Sequence, residues 1–379
     1  MKLLPFFLAG VLALVLTGCV LDSSDSTTTT TSATPTPTPA PVVTTYAVGG
    51  TVSGLTGGTL VLKNNGTDTL AVSANGTFSF AKGIEQGASY NVTVDTQPAG
   101  LLCKVSNGSG ANVIADMTTI NVSCTQVVQL APSTTFAGLS SVVVDASGNV
   151  YACEIFGGHV YKIAPGAATA TILAPGTTFG YCESLALDSS GNLYVADSSI
   201  NNVIWKIVPG ANTATTLAIS QSFSSVSGVA VDAAGTVYVA DENTSRIYKI
   251  PAGSSTATPV TNTIAGAAFL SLDTAGNLYV TTGGTGVYKI PAGSSTGTLI
   301  AGSSVITSAW HTAVDANGNI FVAGFGSNSV YKISAGGSVT AISTGSVQIN
   351  LPEGVAVDTA GNVYAATLNP AALYEIAAP

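Results

Sequence analysis

Charge is what this sequence has least of. Only 8% of its 379 residues are charged, with 10 Lys and Arg against 19 Asp and Glu and a formal net charge of -9. Neutralising a phosphate backbone takes a basic stripe, so no nucleic-acid partner is expected. Histidine occurs twice, tryptophan twice, and aromatics make up 7% of the chain. A Ser-His-Asp order, a phosphate-binding glycine loop and spaced zinc ligands are all missing, which removes the motifs of many hydrolases and nucleotide enzymes. After residue 18 no stretch reaches the roughly 20 apolar residues of a spanning helix, although 46% of the residues are apolar. They are dispersed among 42 Gly and many Ser and Thr. At about 100 to 200 residues per domain, the length implies two or three domains.

Residues 1–18 read as a signal peptide, with Lys2 as the positive start and 3–16 as the apolar segment. The run Leu16-Thr17-Gly18-Cys19 resembles the lipobox of bacterial lipoproteins. That resemblance implies cleavage before Cys19, acylation of its sulfur and amine, and anchoring to a lipid bilayer without crossing it. Val20 stands where an Asp would signal inner-membrane retention, so the resemblance points to the bacterial cell envelope, at the outer membrane or cell surface. Residues 19–45 are rich in Ser, Thr and Pro and cannot bury a core. They are expected to form a tether of about 80 Å at about 3.1 Å per residue.

Short β-rich runs at 48–52, 59–63, 77–80, 89–94 and 118–123, with the turn dipeptides Asn65-Gly66 and Asn75-Gly76, predict a small sandwich over 46–125. The run Val48-Gly49-Gly50-Thr51-Val52-Ser53-Gly54-Leu55 and the pair Cys103 and Cys124 resemble immunoglobulin-like domains of bacterial surface proteins. In an exported chain those two cysteines are expected to form a disulfide. Nothing in this segment carries chemistry, and it reads as a spacer or adhesion module.

From residue 126 the sequence repeats. Asp145-Ala146-Ser147-Gly148-Asn149-Val150-Tyr151 recurs from Asp188, Asp232, Asp273, Asp315 and Asp358, at separations of 43, 44, 41, 42 and 43 residues. Asp suits the start of a type I turn and Gly the left-handed position after it. Four strands per unit at this period make a propeller blade, so residues 126–379 are expected to form six blades. The sixth unit has only three strands, and 127–130 is expected to supply the fourth and close the ring. The units, for example Gly354-Val355-Ala356-Val357-Asp358 followed by Gly361-Asn362-Val363-Tyr364, and Tyr194-Val195-Ala196-Asp197, resemble the NHL repeat. The overall expectation is an all-β chain: a six-bladed NHL-type propeller preceded by an Ig-like sandwich. Propellers of this family include binding platforms, lyases and calcium-dependent lactonases, so the fold does not choose a function.

Aromatics recur once per unit on the second strands (Tyr151, Tyr194, Tyr238, Tyr279, Phe321, Tyr364) and third strands (Tyr161, Trp205, Tyr248, Tyr288, Tyr331, Tyr374), as packing between blades requires. Lys162, Lys206, Lys249, Lys289 and Lys332 share one strand position and are expected to be solvated. Apart from the turn Asp residues and Glu375, the acids of the propeller are Glu154, Glu183, Asp197, Asp241, Glu242 and Glu353. All are expected in loops on the face opposite the turns, with His159 and His311. Together these eight residues are the ligand-binding candidates. Glu183 and Glu353 each precede a turn Asp by five residues, which places them near the channel mouth. Cys153 and Cys182 fall near the same face in neighbouring blades and are expected to form a second disulfide.

Two functions follow, beside a purely structural reading of the chain as an envelope spacer. The leading one is a binding module whose acidic face meets an unidentified protein, peptide or small molecule. The alternative is a metal-dependent hydrolase or lyase of lactonase type, with Glu154, Glu183 and Glu353 on a calcium ion and His311 as acid or base.

Overall fold

Six turns set the architecture. In each Asp-x-x-Gly the glycine holds a positive φ, from 77° at Gly148 to 88° at Gly361, a conformation that disfavours any side chain. The aspartate braces the turn: Asp145 Oδ1 accepts the N–H groups of Ser147 and Asn149, both at 2.9 Å, while Oδ2 accepts Asn149 Nδ2 at 2.8 Å and the Tyr151 hydroxyl at 3.0 Å. The same set of bonds recurs at Asp188, Asp273 and Asp358. Each turn joins the first and second strands of a blade. Blade 1 runs through Leu139–Val144, Val150–Glu154, Val160–Ile163 and Thr171–Leu173, paired antiparallel in that order.

The computed structural model describes residues 43–379 except 200, 261–263, 285, 303–304, 343, 345–346 and 378–379. The signal sequence, Cys19 and the tether up to residue 42 lie outside the described residues. Residues 44–379 form one compact unit. The first strands of blades 2 to 6 are Cys182–Leu187, Val226–Val231, Phe269–Leu272, Ala309–Val314 and Pro352–Val357. Each touches the next, and the sixth touches the first, so they close into a ring around a channel of about 240 Å³. Neighbouring strands approach closely enough to demand glycine at Gly228, where a Cβ would come within 2.4 Å of the Ala268 carbonyl oxygen.

Blade 6 takes its outer strand from the other end of the chain. The strand Met117–Leu130 pairs with Ala371–Ile376, in register from Val127 opposite Ile376 to Leu130 opposite Leu373. Its earlier part pairs parallel with Val48–Ser53 and antiparallel with Leu101–Ser106. A boundary at residue 125 therefore falls inside a continuous strand. The N-terminal domain adds a second sheet, Leu60–Asn64, Asp68–Val72, Tyr90–Thr96 and Ser109–Gly110, and the two sheets share a core that includes Leu60, Leu62, Ile120 and the Cys103–Cys124 disulfide. Leu102 of this domain packs instead with Val127, Phe321 and Ile376 of the propeller, so the two cores meet.

The propeller buries its apolar side chains between blades. One such cluster joins Tyr151 and Val160 of blade 1 to Leu185, Val195 and Ile207 of blade 2. The repeated lysines are not simply solvated: Lys162, Lys206, Lys289 and Lys332 each place Nζ 5.2 to 5.7 Å from the ring centroid of the second-strand aromatic beside them, a cation–π contact.

Candidate functional site

The mouth of the channel is built by a backbone irregularity. In blades 1, 2, 3 and 6 the pairing of first and second strands slips by one residue at Ser140, Glu183, Ser227 and Glu353. In blade 5 it slips across Trp310 and His311. An extra residue of this kind bends the strand and redirects a side chain. The position five before the turn Asp thus carries Ser140, Glu183, Ser227, Ala268, Trp310 and Glu353 round the ring.

Two of these positions are spent on structure. Ser140 Oγ donates to the Cys182 carbonyl at 2.5 Å, and Ser227 Oγ to the Ala268 carbonyl at 2.9 Å, tying each blade to the next. His311 makes the equivalent tie through Nδ1, 2.9 Å from the Glu353 carbonyl oxygen. A carbonyl only accepts, so Nδ1 carries the proton and Nε2 of the neutral ring keeps a lone pair.

Among the described residues four buried side-chain polar atoms lack a hydrogen-bond partner, and two of them, His311 Nε2 and Glu353 Oε2, are at this mouth. Native proteins rarely leave such groups unmet. His311 is 5% exposed and Glu353 1%. Burial pushes His311 down to about 4, outweighing the backbone groups of Glu353 and, from the opposite side of the ring, Glu183. Burial and then the charge of Glu183 push Glu353 up to about 8. Glu183 is itself raised, by burial first and then by the charges of Glu242 and Asp197, against a 2.8 Å hydrogen bond donated by Ser198 Oγ. At neutral pH the mouth therefore holds an uncharged imidazole and a largely protonated Glu353.

The other expected site residues have different work. Glu154, Asp197 and Asp241 are not loop acids; they end the second strands of blades 1 to 3 and are at most 2% exposed. Each carboxylate accepts backbone N–H groups from the segment leading into its own first strand: Ala137 for Glu154, Gly180 and Tyr181 for Asp197, Ser224 and Ser225 for Asp241. Third-strand aromatics complete two of them, the Tyr161 hydroxyl at 3.3 Å from Glu154 and Trp205 Nε1 at 3.0 Å from Asp197. His159 sits 3.2 Å from Glu154 Oε2. The same three blades carry Phe136, Phe179 and Phe223 edge-on to the third-strand aromatic. Blades 4 to 6 have Ile264, Ile306 and Ile349 there and Thr282, Gly324 and Thr367 in place of the acids. The acid and the Phe thus form one packing variant of the repeat. Glu242 opens a short 3-10 turn, Glu242–Thr244, and is exposed.

Glu183, Glu353 and His311 are the candidates that act on one another: the charge of Glu183 reaches Glu353, and backbone groups of both glutamates reach the His311 ring. Among the described residues no three His, Cys, Asp or Glu side chains are grouped to hold a metal, so Glu154 does not join Glu183 and Glu353 as expected. Calcium needs six to eight oxygen ligands, and the described residues bring no three His, Cys, Asp or Glu side chains together to supply them. The residues present do not fit that ion.

Sequence reasoning missed the aromatic wall. Phe269 stands 4.1 Å from the His311 ring and 5.4 Å from Trp310, and Trp310 stacks on Phe325 at 4.9 Å. Four rings therefore run in sequence from His311 outward. Counting five residues back from each turn Asp would have found Trp310. Phe156, 68% exposed, and Tyr181, 50% exposed, stand on the same face in blades 1 and 2. Cys153 and Cys182 are bonded, with Cα atoms 6.0 Å apart, so the disulfide fixes the strand next to Glu183.

One repeat now has a family. Residues 223–249 match the NHL repeat. No curated protein matches the chain. Among solved structures the chain is similar to virginiamycin B lyase from Staphylococcus aureus, at 12% identity and a TM-score of 0.52 over 67% of this chain and 99% of that one. It is similar to a gluconolactonase from Xanthomonas campestris at 13% identity and TM-score 0.56, covering 67% and 90%. An auxiliary nutrient binding protein from Bacteroides thetaiotaomicron matches at 10% identity and TM-score 0.57, covering 84% and 90%, a span longer than the propeller. At such identities the likeness concerns the fold alone.

Proposed function

We propose that this chain is a lipid-anchored protein of the bacterial envelope whose NHL propeller binds a ligand at the channel mouth. The observation that carries the reading is the pair of buried, unpartnered acceptors, His311 Nε2 and Glu353 Oε2. Burying such atoms costs about 1–3 kcal/mol each, a cost that a bound ligand offsets. The N-terminal β domain is read as an immunoglobulin-like spacer, and Cys19 as the acylated end. Thermal-shift screening tests the binding reading. Compounds that stabilise the wild type should lose their effect in Trp310→Ala and Glu353→Gln, and stabilisation that survives both variants overturns it. Cys19→Ser should release the protein from membranes; a membrane-bound variant removes the anchor.

An enzymatic reading has one observation in its favour: a neutral His beside a protonated Glu is a base and an acid at one mouth. Among the similar structures is a catalytically inactive histidine variant of virginiamycin B lyase, a statement about that protein. Turnover of a lactone or other ester that persists in EDTA and disappears in His311→Ala would establish it here.

A further inference from the structure

The mouth is rich in acceptors. Nδ1 of His311 is committed to the Glu353 carbonyl, which leaves Nε2 as an acceptor. Glu353 presents an unpartnered oxygen, and Glu183, partly exposed, is bonded by Ser198 through only one of its two oxygens. The two serine hydroxyls of the ring already donate to backbone carbonyls. Cations are elsewhere. Lys162, Lys206, Lys289 and Lys332 lie over second-strand rings, Lys249 is paired opposite Tyr238, and Arg246 is opposite Asp241, already braced by backbone N–H groups. A carboxylate or phosphate entering this ring would face the charges of Glu183 and Glu242.

We propose that the mouth takes a primary ammonium group, seated among the carboxyls of Glu183 and Glu353 and Nε2 of His311. The inference rests on the binding reading above and names its ligand class. An ammonium has three N–H donors, one for each of these acceptors, and its charge answers the two acids. Phe269, packed on His311, supplies an apolar wall. Below it the channel is lined by Val142, Leu185 and Val355 together with Ser141, Ser271 and Thr312 in about 240 Å³, room for a short alkyl or arylalkyl group and not for a folded chain. The ligand is thus a small organic amine or a single lysine side chain presented by a peptide.

Arrival of a cation also changes the proton count. Glu353 keeps its proton because burial and the charge of Glu183 oppose ionisation; an ammonium beside it favours the carboxylate. Glu183, Glu242 and Asp197 face the same site with negative charge, and His311 faces it neutral. Binding at pH 7 should therefore release about one proton per amine.

Calorimetry on the intact protein tests this with phenethylamine, its alcohol analogue, N,N,N-trimethylphenethylammonium, 3-phenylpropionate and an N-acetyl-lysine amide, with tryptophan fluorescence as a second readout. The primary amine should bind at least tenfold more tightly than the alcohol and than the trimethyl compound, which keeps the charge and lacks the donors. Glu183→Gln and Glu353→Gln should each weaken the amine by tenfold or more and leave the alcohol unchanged. Proton release should vary with buffer ionisation enthalpy and vanish in Glu353→Gln. Equal binding of amine, alcohol and trimethyl compound to the wild type overturns the ammonium site and leaves the mouth as a ligand site. If no compound binds, both readings fall. Preference for the lysine amide over phenethylamine assigns the amine to a peptide; the reverse assigns it to a small molecule.

Discussion

The two faces of the propeller share one repeat and use it differently. On the turn face all six units keep Asp-x-x-Gly, and the hydrogen bonds of Asp145 recur almost unchanged at Asp188, Asp273 and Asp358. At the mouth, five residues earlier, the same ring position holds Ser140, Glu183, Ser227, Ala268, Trp310 and Glu353. Uniformity marks the face that only has to fold. Where the repeat is broken, buried atoms are left without partners, and chemistry becomes available.

One disulfide breaks the repeat without belonging to the ligand set. Cys153 and Cys182 join blades 1 and 2, and replacing both with Ala should cost about 2–4 kcal/mol in unfolding free energy, by the usual effect of removing a cross-link. Denaturant titration measures it, and a negligible loss would show that the bridge serves the mouth and not the fold. On the turn face, Asp188→Ala deletes several hydrogen bonds to a charged group and should cost about 2–3 kcal/mol with ligand affinity unchanged. A shift in affinity there would erase the division between faces.

Glu353 gives a smaller, pH-dependent effect. Its folded value, about 8, lies above its ordinary 4.5, so between these the folded state holds more protons and stability falls as pH rises. His311, at about 4 against 6.5, acts in the opposite sense from pH 4 to 6.5, where the two nearly cancel. Above 6.5 Glu353 acts without it, and stability should fall by about 1–2 kcal/mol up to pH 8. Glu353→Gln should flatten that limb; a slope that persists assigns the titration elsewhere. Smallest of all, Lys206→Met removes a cation–π contact over Tyr194 and should cost about 0.5–1 kcal/mol, read as a small shift in midpoint.

The period, the turns and the closing strand were legible because each has a local cause: Asp and Gly at fixed spacing, and a sixth unit one strand short. Glu183 and Glu353 were found by counting back from the turn Asp. The count followed charge, and so passed over Trp310 at the same position. Glu154, Asp197 and Asp241 were misplaced because their partners are backbone N–H groups 16 or 17 residues away, which leave no mark on side-chain pattern. Their one trace is the Phe that accompanies them in blades 1 to 3 and disappears with them in blades 4 to 6. The continuity of Met117–Leu130 had a signal too, since no Gly or Pro interrupts those residues.

That strand bears on how the molecule is made. Chains emerge from the ribosome N-terminus first, and domains fold as units. The N-terminal domain, complete by residue 126, can hold Val127–Leu130 extended before the propeller has formed. Ala371–Ile376 then arrive last, at an edge already waiting for them. A chain beginning at residue 117 should therefore refold more slowly than one beginning at residue 43, measurable by stopped-flow fluorescence; equal rates would deny the domain this role. On this account the spacer is also a template, present at the start so that the final strand has somewhere to land.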